Sequence, residues 1–163
     1  MENKPEPDYL EILGNVNVDE VYILQVFEYY RQRYLSSKLA QEFVFLSERI
    51  PDEIRENTLV GFCDRTLGSQ LPGRRTFDGG PIRGCLQRFG LIKASGHELF
   101  RGCVVFPEED ENHQFITAVG YRVASRIRRW ESPVIYWQKP EPQAFIANGM
   151  NSIRQMIHEQ TRQ

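Results

Sequence analysis

A cluster of arginines beside a tryptophan carries the clearest chemical signal in this sequence. The run RIRRW, which extends from Arg126 to Trp130, places three arginines next to an indole ring. Guanidinium groups pair with phosphate through two parallel hydrogen bonds, and a base that stacks on an aromatic ring contributes about 1–3 kcal/mol to single-strand binding. The run therefore favours contact with single-stranded nucleic acid. The structural alternative is a tryptophan that covers the edge of a sheet.

Further cations are spread over the middle of the chain, where glycine and proline predict loops. Arg74 and Arg75 follow Gly73 in a glycine-rich stretch at 68–80, and glycine would let such a loop follow a phosphate backbone. For each of these cations the alternative is a solvated or ion-paired side chain. The predicted nucleic-acid-binding residues are Arg65, Arg74, Arg75, Arg83, Arg88, Lys93, Arg101, Arg122, Arg126, Arg128, Arg129 and Trp130.

The formal net charge of −2 hides an uneven distribution of charge along the 163 residues. Residues 1–57 carry 12 acidic and 6 basic side chains, residues 58–107 carry 3 and 7, and residues 108–163 carry 7 of each. A basic middle in a near-neutral chain is typical of a surface for a polyanion, and equally of arginines that solvate a sheet. The acidic front of the chain is a candidate for contact with a protein partner.

Groups that could perform catalysis or bind a metal are sparse. Cys63, Cys85 and Cys103 contain no CxxC spacing, so we predict neither a zinc site nor a disulfide framework and expect small buried side chains. We expect His97 to lie in a turn, and we interpret the acidic residues at 108–111 as a solvated hairpin turn rather than a metal site. We therefore predict no catalytic residues, no metal and no cofactor.

The sequence also bears on the location of the protein. No run approaches the 18 or so consecutive apolar residues of a membrane span, and the first 15 residues lack the basic flank and apolar core of a signal peptide. An odd number of cysteines without CxxC spacing fits the reducing cytoplasm. We expect a cytoplasmic protein without membrane contact.

The N-terminal part reads as helical. Apolar residues at helical spacing predict a helix that Asp19 caps and that continues to about Tyr34. Its expected apolar stripe consists of Val21, Leu24, Val26, Phe27 and Tyr30. A second helix is expected after Ser36 or Ser37, with Leu39, Phe43 and Leu46 on its apolar face, and a third from Pro51 to Asn57.

The remainder reads mainly as strands. The runs LVGFC, LFRGCVVFP, HQFITAVGYRV and SPVIYWQ are rich in β-branched and aromatic residues, and the polar segment EEDEN joins the second and third runs as a hairpin. IRGCLQRFGLI predicts a short helix that ends at Gly90, and Trp137 is expected in the core. The predicted fold class is α+β, with a helical N-terminal part followed by a small, mainly antiparallel sheet.

The order of these segments resembles one module of a known enzyme family. The similarity rests on VGFCDRTLGSQLPGRR, IRGCLQRFGLIKASGHELFRGCVVFP, ITAVGYRV and IYWQKPE, and it extends over about residues 20–150. The module is the N-terminal subdomain of the RNA-polymerase core of bacterial-type DNA primases, and the resemblance is nearest to primase-like proteins of plasmids and mobile elements. It implies a primase-core-like domain at 18–150. The polar composition predicts a flexible tail at 1–17, and apolar residues at helical spacing predict a C-terminal helix or tail at 151–163.

Two arginines match the pattern of the family, and two other positions depart from it. Arg101 and Arg122 correspond to arginines of the primase module. Ile135 and Gln138 stand near the places where related primases carry a lysine and an asparagine that help to hold nucleotide, and Lys139 is displaced from them. The resemblance implies that the basic surface carries a single-stranded template. It leaves nucleotide binding open.

The resemblance implies an incomplete enzyme. In the family, a zinc-binding domain precedes this module, and a Toprim domain follows it and supplies carboxylates for magnesium. Only 13 residues follow Met150, so we expect no Toprim domain in this chain. We expect a non-catalytic module of DNA replication or of a mobile element, which binds single-stranded DNA or an RNA–DNA strand, a replication partner such as a helicase, or both.

Two alternatives remain open at this point. The chain could be one subunit of a split DNA primase, completed by a separate Toprim chain that brings magnesium. It could instead be a protein-interaction factor or inhibitor that mimics part of a primase. Substitution of the loop arginines would weaken nucleic-acid binding in the leading interpretation and would leave the function of an interaction factor intact.

Overall fold

The computed structural model describes residues 18–73 and 79–140. The predicted tails at 1–17 and 151–163 lie outside these ranges, so the predicted domain boundaries stay predictions. Within the described part of the chain, no helix is long and apolar enough to cross a bilayer.

The first helix, α1 (Val18–Leu35), covers the predicted span, but Asp19 lies within its first turn and is not its cap. Its buried residues are Ile23, Val26, Phe27 and Tyr30. The predicted stripe is therefore wrong at Val21 and Leu24, which are 38% and 49% exposed. With about 100° of rotation per residue, positions 23, 26, 27 and 30 share one helix face, and positions 21 and 24 turn away from it.

The second helix, α2 (Lys38–Leu46), begins as predicted at Ser37, whose hydroxyl accepts a hydrogen bond of 3.1 Å from the backbone N–H of Ala40. Of its predicted apolar face, Phe43 is partly buried against the core, and the prediction is wrong at the two leucines. Ala40 and Val44, one turn apart, pack against the sheet, whereas Leu39 and Leu46 are 63% and 70% exposed. A small alanine lets the helix approach the sheet closely, and this leaves the larger leucines on the outer side.

The third helix, α3 (Asp52–Arg55), follows Pro51 as predicted but ends before Asn57. The guanidinium of Arg55 donates to the backbone carbonyls of Val44 and Ile50, at 2.6 and 3.0 Å. These carbonyls include one that the end of α2 leaves without a helical partner, so Arg55 caps α2 from a distance.

Four antiparallel strands follow in the order in which they occur along the chain: β1 (Gly61–Phe62), β2 (Cys103–Glu109), β3 (Phe115–Arg122) and β4 (Val134–Gln138). The predicted hairpin between β2 and β3 is confirmed. The acidic residues at 108–111 are only partly in its turn, because Glu108 and Glu109 belong to β2. The turn begins at Asp110, whose carboxylate accepts from the N–H groups of Asn112 and Gln114 at 2.8 and 3.0 Å.

Two helical segments flank the glycine-rich stretch that the sequence predicts as a loop. Helix α4 (Leu67–Gln70) overlaps its start, and α5 (Gly79–Arg88) begins at its end. The prediction of a loop throughout 68–80 was therefore wrong at both ends. The end of α5 was predicted correctly, since Gly90 has a φ of +81° and allows the N–H of Leu91 to bond to the carbonyl of Leu86 at 2.9 Å.

Side chains alternate between the two faces of the sheet and form two hydrophobic clusters. Val105, Ala118 and Trp137 pack with α1 and α5 on one face, and Val104, Phe106 and Tyr121 pack with α2 on the other. Trp137 is 5% exposed and its indole N–H donates to the carbonyl of Phe89 at 2.6 Å, which confirms its predicted place in the core. The three cysteines are buried as expected. The α+β fold class is confirmed.

Candidate nucleic-acid interface

A groove of about 740 Å³ opens at the end of the sheet where β1 and β3 end and β2 and β4 begin. We call it the basic groove. It is lined by the arginines Arg65, Arg101, Arg122, Arg126 and Arg128, by Trp130, and by the carboxylates of Asp64 and Glu131, among other residues. Five guanidinium groups and two carboxylates give this lining a formal net charge of +3.

The floor of the groove is held by backbone hydrogen bonds around Gly102. Its N–H donates to the carbonyl of Cys63 at 2.9 Å, and its own carbonyl accepts from the N–H of Val123 at 2.9 Å. Gly102 has a φ of +77°, and a Cβ at this position would lie 3.2 Å from a terminal guanidinium nitrogen of Arg65. A glycine therefore joins three distant segments of the chain and leaves room for a cation above them.

A tight turn after β1 carries Arg65. The carboxylate of Asp64 accepts hydrogen bonds from the backbone N–H of Thr66 at 3.3 Å and from its hydroxyl at 2.5 Å. The same carboxylate pairs with Arg33 near the end of α1 at 2.5 Å, and this contact raises the pKa of Arg33. Arg65 itself has a φ of 71°, a left-handed backbone conformation that is uncommon for residues other than glycine. Asp64 thus fixes the turn from which Arg65 extends.

Arg122 at the end of β3 is an internal brace. Its guanidinium donates to the carbonyls of Arg101 and Ser132, each at 3.0 Å, and pairs with Glu131 at 3.2 Å. Its side chain is only 12% exposed. The hydrogen-bonding capacity of this arginine is therefore used largely within the protein.

The loop between β3 and β4 (residues 123–133) places the aromatic ring at the groove. Trp130 is 78% exposed, and the guanidinium carbon of Arg128 lies 5.6 Å from the centre of its ring. One oxygen of Glu131 accepts from the backbone N–H of Arg128 at 3.2 Å. The exposed indole therefore stands in a loop that has internal contacts of its own. The structural alternative, in which Trp130 covers a sheet edge, does not describe its surroundings.

Three of the arginines in the groove have no internal role in the described part of the chain. Arg65, Arg101 and Arg126 are exposed, and their guanidinium groups make no hydrogen bond or ion pair with any residue of 18–73 or 79–140. They can contact a phosphate without breaking an existing interaction. Arg122 and Arg128 line the same groove but both pair with Glu131. The pair of Arg128 is the longer one, at 4.0 Å, and its side chain is 71% exposed.

The other predicted binding residues lie elsewhere. Arg83 donates to the carbonyls of Gly68 and Pro72 at 2.9 and 3.0 Å, so it ties α5 to the segment that follows α4. Arg88 pairs with Asp19 in the first turn of α1 at 3.4 Å. Lys93 is exposed in the turn after α5. Three further predicted residues also fall outside the described groove lining: Arg129 is exposed in the loop at 123–133, and Arg74 and Arg75 lie outside the described residues.

Arg88 is remote from the basic groove. Asp19, its partner, belongs to the first turn of the 18-residue helix α1, whereas Arg33, near the last residue of that helix, contacts Asp64 at the groove. At a rise of 1.5 Å per residue these two positions are about 20 Å apart. The structure therefore supplies an exposed arginine that serves as a control for the groove arginines.

Sequence reasoning missed the residues that organise the groove. Asp64 and Glu131 were not singled out, nor was Gly102. An aspartate two residues before a threonine N–H is a turn signal that the sequence contains, and Glu131 stands three residues after Arg128, a spacing at which opposite charges interact. The long-range partners, Arg33 for Asp64 and Arg122 for Glu131, depend on the register of the fold.

The Cys103 thiol near the groove is not activated for nucleophilic chemistry. Burial raises the pKa of the Cys103 thiol to about 11, although the guanidinium groups of Arg122 and Arg65 act in the opposite direction. The thiol is therefore protonated at neutral pH. Within residues 18–73 and 79–140, no three His, Cys, Asp or Glu side chains form a group that could hold a metal ion.

Known proteins similar to this chain were found through structure and not through sequence. No family model matches it, and no curated protein matches it. The Aquifex aeolicus primase, in a structure of its zinc-binding and RNA polymerase domains, aligns with a TM-score of 0.55 at 17% identity, over 78% of this chain and 31% of that one. The fold is that of the primase core.

Two further primase structures agree with this assignment. A DNA primase domain from Pseudomonas aeruginosa aligns with a TM-score of 0.51 at 20% identity, over 74% of this chain and 38% of that one. The catalytic domain of the primase DnaG bound to single-stranded DNA aligns with a TM-score of 0.50 at 18% identity, over 77% and 40%. The chain thus spans less than half the length of these primases. The predicted resemblance is confirmed for the fold, and its nearness to plasmid or mobile-element proteins stays a prediction.

Proposed function

We propose that this chain is a primase-like module that binds single-stranded nucleic acid in the basic groove and catalyses no reaction on its own. The observation that carries the proposal is the convergence of five arginines and an exposed tryptophan, from positions 65 to 130, on one end of the sheet. A lining of net charge +3 attracts a polyanion. An exposed indole at its rim offers a surface for one base.

The phosphate contacts are assigned to the arginines that are not used inside the protein. Arg65, Arg101 and Arg126 make no contacts with the described residues that a phosphate would have to replace. Each contact with a single strand contributes about −0.7 to the slope of log K against log salt concentration. Three contacts therefore give a slope of about −2, which makes the binding strongly dependent on salt.

The aromatic group accounts for the preference for single strands. Stacking on an indole requires a base whose face is exposed, and a duplex hides these faces inside its own stack. Trp130 is 78% exposed, so it can accept a base without a rearrangement of the core. The primase catalytic domain that was solved with bound single-stranded DNA has the same fold, and this supports the assignment.

A second function has its own supporting observation. Helix α2 exposes Leu39, Phe45 and Leu46, which are 63%, 81% and 70% exposed, and large apolar side chains of this kind favour contact with a protein. An interaction factor, or a subunit of a split primase that docks on a Toprim chain, would use such a surface. Primer synthesis in the split enzyme would need magnesium bound by the Toprim chain.

The test compares wild type with a groove variant that combines Arg65→Ala, Arg101→Ala and Arg126→Ala. Fluorescence anisotropy with a labelled single-stranded oligonucleotide and with a duplex of the same sequence is recorded at about 50 and about 200 mM salt. We expect wild type to bind the single strand more tightly than the duplex. The groove variant should bind it at least about a hundredfold more weakly, since hydrogen bonds to charged groups contribute about 1.5–3 kcal/mol each.

Arg88→Ala is the control, because it removes an arginine about 20 Å from the groove and should leave binding unchanged. Absence of single-strand binding by wild type at low salt would contradict the proposal. Equal weakening by Arg88→Ala and by Arg65→Ala alone would contradict the assignment to the groove. Metal-dependent primer synthesis in a mixture with a Toprim protein would favour the split primase instead.

A further inference from the structure

The loop at 123–133 has no helix or strand of its own, yet it carries the exposed indole of Trp130. Two of the contacts that hold the part of the loop around Trp130 are made by the carboxylate of Glu131. One carboxylate oxygen forms an ion pair with the guanidinium of Arg122 at 3.2 Å, and the other accepts a hydrogen bond from the backbone N–H of Arg128 at 3.2 Å. The side chain of Glu131 is 26% exposed, so these contacts are partly shielded from water.

Arg122 extends this arrangement into the sheet. Its guanidinium donates to the carbonyls of Arg101 and Ser132 at 3.0 Å, in addition to its pair with Glu131. Glu131 is thus linked through Arg122 to Arg101, which precedes β2, and to Ser132 near the end of the loop. Removal of its charge would end the ion pairs of Glu131 with Arg122 at 3.2 Å and with Arg128 at 4.0 Å, and would leave the loop held to the guanidinium of Arg122 through the carbonyl of Ser132 alone.

We propose that Glu131 is a positioning residue, which holds the loop so that Trp130 is ready to stack on an unpaired base at the rim of the basic groove. The inference rests on the proposed function. It deepens that function by separating two roles among the five groove arginines. Arg122 and Arg128 organise the aromatic ring, and Arg65, Arg101 and Arg126 contact phosphate.

Preorganisation explains why an acidic residue lies in a groove for a polyanion. A carboxylate there repels phosphate, so simple electrostatics makes it unfavourable for binding. A loop that is already ordered loses less conformational entropy when the base stacks on it, and this gain opposes the repulsion. In this account the gain exceeds the repulsion.

The two effects predict opposite results for Glu131→Gln. This substitution keeps the shape of the side chain and removes its negative charge. If Glu131 acts only as a charge, the variant binds a single strand more tightly. If Glu131 positions Trp130, the variant binds about fivefold more weakly, because the loop must be ordered during binding. The salt slope is then no shallower than that of wild type, since the substitution removes no cation from the basic groove.

An abasic oligonucleotide of equal length separates positioning from general damage. It presents the same phosphates without a base to stack, so Glu131→Gln should not weaken its binding. Trp130→Ala changes a side chain that is 78% exposed, and it should weaken binding of the intact strand only. In the Trp130→Ala background, Glu131→Gln should cause no further loss for the intact strand.

Glu111→Gln is the matched control, because Glu111 is exposed in the turn between β2 and β3, at the opposite end of the sheet. It should leave both affinities close to those of wild type. If wild type binds and Glu131→Gln binds equally or more tightly, the positioning role is wrong although the proposed function stands. Equal weakening for intact and abasic strands would also overturn it. Absence of wild-type binding would instead refute the proposed function itself.

Discussion

Arginine serves opposite purposes in two regions of this molecule. Beside α4 and α5, Arg83 donates to backbone carbonyls of the segment at 68–72 and is partly buried. At the basic groove, Arg65, Arg101 and Arg126 extend into solvent without a partner among the described residues. The same side chain is a structural donor in one region and an available cation in the other. The difference arises because the fold brings backbone carbonyls within hydrogen-bonding distance of Arg83 and not of the three groove arginines. The number of positive charges in the sequence does not show this.

Replacement of Arg83 tests the structural region of this comparison and should have the largest effect on stability. Arg83→Ala leaves the carbonyls of Gly68 and Pro72 without their donor, and we expect the free energy of unfolding to fall by about 1–3 kcal/mol. Urea denaturation measures this change. Anisotropy with a single-stranded oligonucleotide should show unchanged affinity, and a loss of affinity without a loss of stability would reverse the roles that we assign.

The groove variant gives the complementary result. The side chains of Arg65, Arg101 and Arg126 make no hydrogen bond or ion pair within the described ranges. Each of the three replacements by alanine should therefore change the free energy of unfolding by less than about 0.5 kcal/mol. The same urea experiment measures it. A large loss of stability would mean that these arginines support the fold, and the contrast between the two regions would disappear.

The sequence alone predicts the local elements of this fold well. Ser37 as a helix cap, Gly90 as a helix end, the hairpin of β2 and β3 and the buried Trp137 follow from side-chain chemistry within a few residues. The α+β layout follows from their order. These features depend on short-range physics, and short-range physics is what a sequence displays.

The organisation of the site depends on contacts between distant segments. The pair Arg33–Asp64 exists because α1 packs against β1. The pair Arg122–Glu131 exists because the register of β3 and β4 joins the N–H of Arg122 to the carbonyl of Pro133. The sequence could name Arg122 as a candidate, but it could not show that its guanidinium is already used. The same reason explains the wrong face of α2, where the sheet selects Ala40 over the larger Leu39.

The thiol beneath the groove provides a smaller, pH-dependent test of the burial described at its floor. Burial raises the pKa of Cys103 to about 11 from an ordinary value of 9.0. Between these two values the unfolded chain loses its thiol proton while the folded protein keeps it, so the free energy of unfolding falls as the pH rises. Urea denaturation at about pH 8 and about pH 10 should show this loss, and Cys103→Ala should reduce it. A stability that rises over this interval would contradict the buried, protonated thiol.

The central claim is that three available arginines, and not five, contact the phosphates of a single strand. It is tested most directly by the slope of log K against log salt concentration for wild type with a single-stranded oligonucleotide. We predict a slope of about −2, at about −0.7 per contact, which becomes shallower by about 0.7 in Arg101→Ala and stays unchanged in Arg88→Ala. A wild-type slope near zero, or one of about −3.5 as expected for all five groove arginines, would contradict this account.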